Sequence, residues 1–166
     1  GSKSRSAFMA VTWLGWTLAT LKIITAPLPI IFAPVFALPM AVFLGVPYLV
    51  YDLLRRRTAT KWVTLAFPAL MAVGEWLQHI TSPFATWGAA AYTQLDVLPL
   101  LQVAALTGTV GVSFVVYQVG AVIAESLRNS GDMRRPALVA GLVLATTLGL
   151  GTARLAWTMD EARPTV

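Results

Sequence analysis

The chain has 166 residues, 57% of them apolar and only 11% charged, with 12 basic and 7 acidic side chains and a net charge of +5. Globular domains carry about 25% charged residues, so a water-soluble surface is excluded and the composition is that of an integral membrane protein. Cysteine is absent, which removes disulfides, thiolate nucleophiles and cysteine-ligated metals. With His79 as the one imidazole and the carboxylates scattered, the sequence predicts no metal and no cofactor.

In chain order, Gly1 and Ser2 read as a scar of tag cleavage, and the basic stretch to Ser6 leads into the first apolar segment. A helix needs about 20 apolar residues to cross the hydrocarbon core. Five segments come close, at residues 7–25, 30–54, 62–80, 108–127 and 137–157. Lipid offers no partner for backbone N–H and C=O groups, so each is expected to be helical. The predicted fold is therefore all-α, a polytopic bundle of about five transmembrane helices over residues 7–157, with a tail at 158–166. Pro34, Pro39 and Pro47 in the second segment remove backbone donors and are expected to kink it.

Basic residues orient such a bundle, because cytoplasmic loops are enriched in Lys and Arg. With five alternating helices, Lys3, Arg5, Arg55, Arg56, Arg57, Lys61, Arg128, Arg134 and Arg135 share one face, against Lys22, Arg154 and Arg163 on the other. The N-terminus is thus expected in the cytoplasm and the C-terminus outside it. Charge dispersed over short loops forms no groove for a polyanion, so nucleic acid is not an expected partner.

The connection at 81–106 differs from the others in being long, semi-apolar and extracytoplasmic. It contains Phe84, Trp87, Tyr92, Gln94 and Asp96. Loops beyond about 12–15 residues are usually functional or disordered, and this one is too apolar for disorder. It is expected to fold back as a re-entrant or interfacial element, with Pro99–Leu106 as a short helix.

Glu75 and His79 stand four apart near the outer end of the third helix, which places them on one face within reach of each other. A carboxylate at membrane depth is costly and marks a candidate site. The structural alternative is that Glu75 bonds a backbone or loop donor while His79 sits at the interface. Trp87, Tyr92 and Gln94 can bind a lipid headgroup or acyl chain, since indole and phenol each combine an apolar body with a polar tip. The same residue types also anchor helices in aromatic belts. Gly108, Gly111, Gly141, Ala145 and Gly149 are small residues suited to close helix approach. Lys22 is expected to snorkel, and Gln102, Tyr117 and Gln118 to bond across helices. Ser113 has no base nearby in sequence, and neither a phosphate loop, a nucleophile elbow nor a zinc motif occurs. With Glu75 the one buried acid expected, a channel or pump is disfavoured.

The succession Glu75-Trp76-Leu77, Trp87, Tyr92-Thr93-Gln94 and Gly108-Thr109-Val110-Gly111-Val112-Ser113-Phe114 resembles the membrane domain of bacterial apolipoprotein N-acyltransferases. Thr12-Trp13 and Phe67-Pro68-Ala69-Leu70 add to the resemblance, which runs from Thr12 to Trp157. The sequence departs from the family pattern at Gln78, where Arg is common, and at Thr86, Ala91 and Thr93, where Pro, Gly and Ser are common. The resemblance implies a bacterial inner-membrane protein in lipoprotein biosynthesis, with acyl transfer from a phospholipid through a cysteine thioester to a lipoprotein. In the family that chemistry belongs to a Glu-Lys-Cys triad in a nitrilase-like domain, and no triad residue maps onto this chain. The expected role is to seat phospholipid and lipoprotein acyl chains, with Glu75, His79, Trp87, Tyr92 and Gln94 as the candidate site and no catalytic residue. The alternative is a non-enzymatic membrane subunit that recruits a partner protein.

Overall fold

The computed structural model describes residues 2–24, 29–57, 63–83, 85–128 and 134–161. Phe84, Lys61 and the tail beyond residue 161 lie outside the described residues, as do the side chains of Lys22 and Arg128. Five long helices are present: α1 (Ser2–Ile24), α2 (Phe32–Arg57), α3 (Val63–Thr81), α5 (Ala104–Arg128) and α6 (Arg134–Glu161). Between α3 and α5 lie a short 3-10 helix (Ala90–Gln94) and a single-turn helix α4 (Leu98–Leu101). The described residues are helical with no strand, so the chain is an all-α bundle.

The helices run past the apolar segments at several ends, because helical hydrogen bonding continues into polar flanks such as Arg55, Arg56 and Arg57. Among the described residues, three helices are long and apolar enough to cross a membrane: Phe32–Arg57, Ala104–Leu127 and Arg134–Thr158. The expectation of five spans is thus met on length and composition by three. The 19-residue α3 falls outside that set, with Glu75, Gln78 and His79 in its last turns. The single helix expected over Pro99–Leu106 is instead divided between α4 and the start of α5.

Packing follows a chain of neighbours: α1 lies on α2, α2 on α3 and α3 on α5, while α6 contacts α4 and α5. In α3 the buried positions are Thr64, Phe67, Pro68, Met71, Gly74, Glu75 and Gln78, a stripe at three- and four-residue spacing. One core joins Leu44, Phe67, Met71 and Ala121 across α2, α3 and α5, with Trp16, Tyr51 and Tyr117 against it. Phe67 meets the rings of Tyr48, Tyr51 and Tyr117 edge-on at centroid distances of 4.8, 5.2 and 6.0 Å, an arrangement that sets ring edges against π faces. A second core, at the loop between α3 and α5, joins Ala91, Leu100, Val112 and Val115.

Helix α2 continues through Pro39 and Pro47. Pro47 has no N–H, so the Phe43 carbonyl one turn earlier loses its helical donor. Gly74 of α3 faces that carbonyl, and a Cβ there would lie 2.5 Å from the oxygen. Only glycine permits this approach, which sets the height of α3 beside α2 and so the position of the next residue, Glu75.

Three of the small residues expected at helix contacts, Gly108, Gly141 and Gly149, have no neighbour there. A Cβ at Gly108, Gly141 or Gly149 would meet nothing within 4 Å. Gly108 instead breaks the helical path of α5 with φ 66° and ψ −171°, a backbone region essentially reserved for glycine. Close approach on α6 occurs at buried Gly151, which faces the Pro99 carbonyl of α4.

Candidate functional site

The C-terminal end of α3 and the N-terminal half of α5 hold the loop between them by its backbone. Glu75 is 5% exposed, and its Oε1 accepts two hydrogen bonds, from the Ala90 N–H at 3.0 Å and from the Tyr117 hydroxyl at 2.8 Å. Its Oε2 is buried with no hydrogen-bond partner among the described residues. Gln78, one turn further and 3% exposed, donates through Nε2 to the carbonyls of Ala85 at 3.0 Å and Trp87 at 2.7 Å. Ser113 of α5, fully buried, accepts the Ala91 N–H at 3.0 Å. Three buried side chains thus satisfy four backbone groups between residues 85 and 91, groups that would be costly to bury unpaired.

The gripped segment has an unusual path. Ala85 has φ 46° and Gly88 has φ 81°, so the chain turns twice through the left-handed region, once at a residue that ordinarily avoids it. The Gln78 amide spans this double turn by taking the carbonyls of residues 85 and 87 together. Trp16 of α1 packs 6.5 Å from the Trp87 ring, and its indole carbons lie where a Cβ on Gly88 would need room. Trp13 of α1 donates its indole N–H to the Pro34 carbonyl at 2.9 Å, tying α1 to the start of α2.

Beyond the clamp, polar groups bond within the loop. Thr86 and Tyr92 share a hydroxyl hydrogen bond of 2.6 Å, Thr93 donates to the Ala90 carbonyl at 2.7 Å, and Gln94 donates to Thr93 Oγ1 at 2.9 Å. Tyr92 remains 46% exposed and Trp87 is half-buried, so this surface combines aromatic area with satisfied polar tips. Arg154 of α6 reaches the Gln102 carbonyl at 3.4 Å.

Of the residues singled out in the sequence, Glu75 touches the loop through the Ala90 N–H, Trp87, Tyr92 and Gln94 sit on the loop itself with Tyr92 bonded to Thr86 and Gln94 to Thr93, and His79 stands apart at the end of α3. His79 is exposed, and no hydrogen bond or ion pair joins it to Glu75. The four-residue spacing does put the pair on neighbouring positions, but the buried carboxylate takes its donors from the loop and from α5. Gln78, Ser113 and Tyr117 are members that the sequence reading did not assign to the site. Their spacing carries the signal: Glu75 and Gln78 are three apart, and Ser113 and Tyr117 four apart, each pair on one face. Gln118 is buried with its Oε1 unpartnered among the described residues.

Ser113 Oγ is occupied by a backbone donor, and no group of three or more His, Asp or Glu side chains that could hold a metal occurs among the described residues. Three of the four positions that depart from the family pattern, Gln78, Thr86 and Thr93, use their side chains in this network, and Ala91 uses its N–H.

Apolipoprotein N-acyltransferase of Chromobacterium violaceum is 32% identical over 108 residues, 65% of this chain and 20% of that protein. The enzyme of the same name from Bradyrhizobium diazoefficiens is 30% identical over 121 residues, 70% of this chain and 22% of that protein. The chain therefore spans about a fifth of the length of the curated relatives it matches. No solved structure matches it. The model of the apolipoprotein N-acyltransferase N-terminal domain matches residues 4–122, well over half of the chain, including α3, the clamped loop and most of α5; the chain belongs to this family.

Proposed function

We propose that this chain is a lipid-seating membrane domain for lipoprotein acylation in the bacterial inner membrane. Its loop between α3 and α5 forms a platform on which acyl chains of a phospholipid, and of a lipoprotein, are positioned. The observation that carries this reading is the clamp: Glu75, Gln78 and Ser113 fix the loop backbone, while Tyr92 stays 46% exposed on the loop surface. A rigid loop with an aromatic outer surface suits acyl chains, because large apolar area is offered at low conformational cost. Glu75 and Gln94 act as polar orienting groups, the first through the loop and the second at its surface.

The orientation in this proposal puts the N-terminus in the cytoplasm and the loop on the outer side, where lipoproteins are matured. Trp87→Ala is the direct test. It removes aromatic area without touching the three clamp side chains, so phospholipid retained through purification should fall several-fold, read by native mass spectrometry, with the helical content unchanged. Retention at the unsubstituted level would remove the platform from the account.

A further inference from the structure

The first turns of α1, the C-terminal half of α2, Phe67 of α3 and the C-terminal half of α5 line a half-open cavity of about 650 Å³, which runs from the helix ends away from the clamped loop up to Tyr117. That size falls within the range of about 300–1,000 Å³ typical of ligand sites. Its wall is aromatic, formed by Phe8, Tyr48, Phe67 and Tyr117. Its mouth is charged: Arg5, Arg55 and Arg56 line it together with Asp52 and Glu125.

The charges at the mouth are not balanced. Asp52 is shared by Arg56, at 2.8 Å, and Arg55, at 3.7 Å, while Arg5 has no partner among the described residues. Three guanidinium groups face two carboxylates, and Arg57 adds a further cation at the same helix end. Guanidinium is the side chain best matched to a phosphate, since its planar fork offers paired donors.

We propose that this cavity is a second lipid site, which takes one acyl chain of an anionic glycerophospholipid against the aromatic wall and its phosphate at the arginine mouth. Its arginine mouth lies at the helix ends away from the loop platform, and its aromatic wall reaches as far as Tyr117. The link between the two is Tyr117, which lines the cavity and donates its hydroxyl to Glu75 beneath the loop.

Gly120 supplies a clean test. It lines the cavity, and a Cβ there would meet nothing within 4 Å, so Gly120→Leu adds apolar bulk to the cavity from an unobstructed Cβ and improves helix propensity. The experiment measures lipid adducts by native mass spectrometry after reconstitution with dioleoylphosphatidylglycerol or dioleoylphosphatidylcholine, and competition by soluble glycerol phosphate. The expected result is a phosphatidylglycerol-selective adduct that is lost in Gly120→Leu and retained in Trp87→Ala. Arg5→Gln should weaken it roughly fivefold, as expected for one basic side chain near an anionic lipid. An adduct unaffected by Gly120→Leu would overturn the proposal, as would equal retention of the two lipids. Displacement by glycerol phosphate at concentrations comparable to the lipid would also overturn it, by making the mouth a site for free phosphate without an acyl chain.

Discussion

Tyr117 on α5 donates its hydroxyl to Glu75 on α3 at 2.8 Å, and the same carboxylate oxygen takes the Ala90 N–H at 3.0 Å. One acceptor therefore binds a second helix and the outer loop together. Removing it orphans two donors at once. Glu75→Ala is predicted to destabilise the bundle by about 2–6 kcal/mol, because each of the two buried donors left unpaired costs about 1–3 kcal/mol. Glu75→Gln keeps one oxygen acceptor and should cost less. A double-mutant cycle of Glu75→Gln with Tyr117→Phe should give a coupling of about 1–2 kcal/mol, read from unfolding in detergent. Additive losses would mean that the hydroxyl contributes nothing to holding the carboxylate.

Gln78→Ala frees the carbonyls of Ala85 and Trp87 at a double left-handed turn. The predicted outcome is local: amide exchange in residues 85–91 should quicken by at least about tenfold, equivalent to about 1.4 kcal/mol of lost protection, while the inner halves of α2 and α3 stay protected. Uniform loss of protection across the bundle would show that Gln78 supports the core and not the loop.

Glycine positions separate by what surrounds them. Gly74→Ala forces a methyl group to 2.5 Å from the Phe43 carbonyl, so α3 must move off α2, and a loss of about 1–3 kcal/mol is expected for overpacking. Gly141→Ala meets open space and should be neutral or stabilising by up to about 1 kcal/mol through helix propensity. Thermal unfolding of the two variants side by side checks this, and similar behaviour of the pair would contradict the packing described at Gly74.

Much of the bundle is legible in the sequence, and the exceptions have physical causes. Apolar runs mark the helices because backbone groups in lipid must bond internally, yet run length alone does not separate α3 from a span, since its last turns carry Glu75, Gln78 and His79. Glu75 stands out by its cost at depth. Its partners do not, because a backbone N–H such as that of Ala90 leaves no mark in a sequence, and the pairing of α3 with α5 is a tertiary fact. His79 attracts notice by spacing but lies outside the network. The small-residue pattern on α6 misleads for a similar reason: four-residue spacing at Gly141 and Gly149 permits close approach without supplying a neighbour, and the contact forms at Gly151.

The absence of native cysteine makes topology testable with single introduced thiols. Ser4→Cys and Thr93→Cys are predicted to label from opposite sides of inverted and right-side-out membranes with an impermeant maleimide. Thr93→Cys should react from the outer side, as the excess of Lys and Arg near the N-terminus and the inner loops requires. Labelling of both from one side would contradict the proposed orientation.

The clamped loop is proposed to seat acyl chains. The most direct measurement of this is photocrosslinking with a phospholipid whose acyl chain carries a photoactivatable group, followed by peptide mapping of the adducts. The account predicts adducts concentrated in residues 85–95, around Trp87 and Tyr92, and reduced several-fold in Trp87→Ala with the His79→Ala pattern unchanged. Adducts spread evenly over the outward faces of α2 and α6, with no enrichment in the loop, would contradict it.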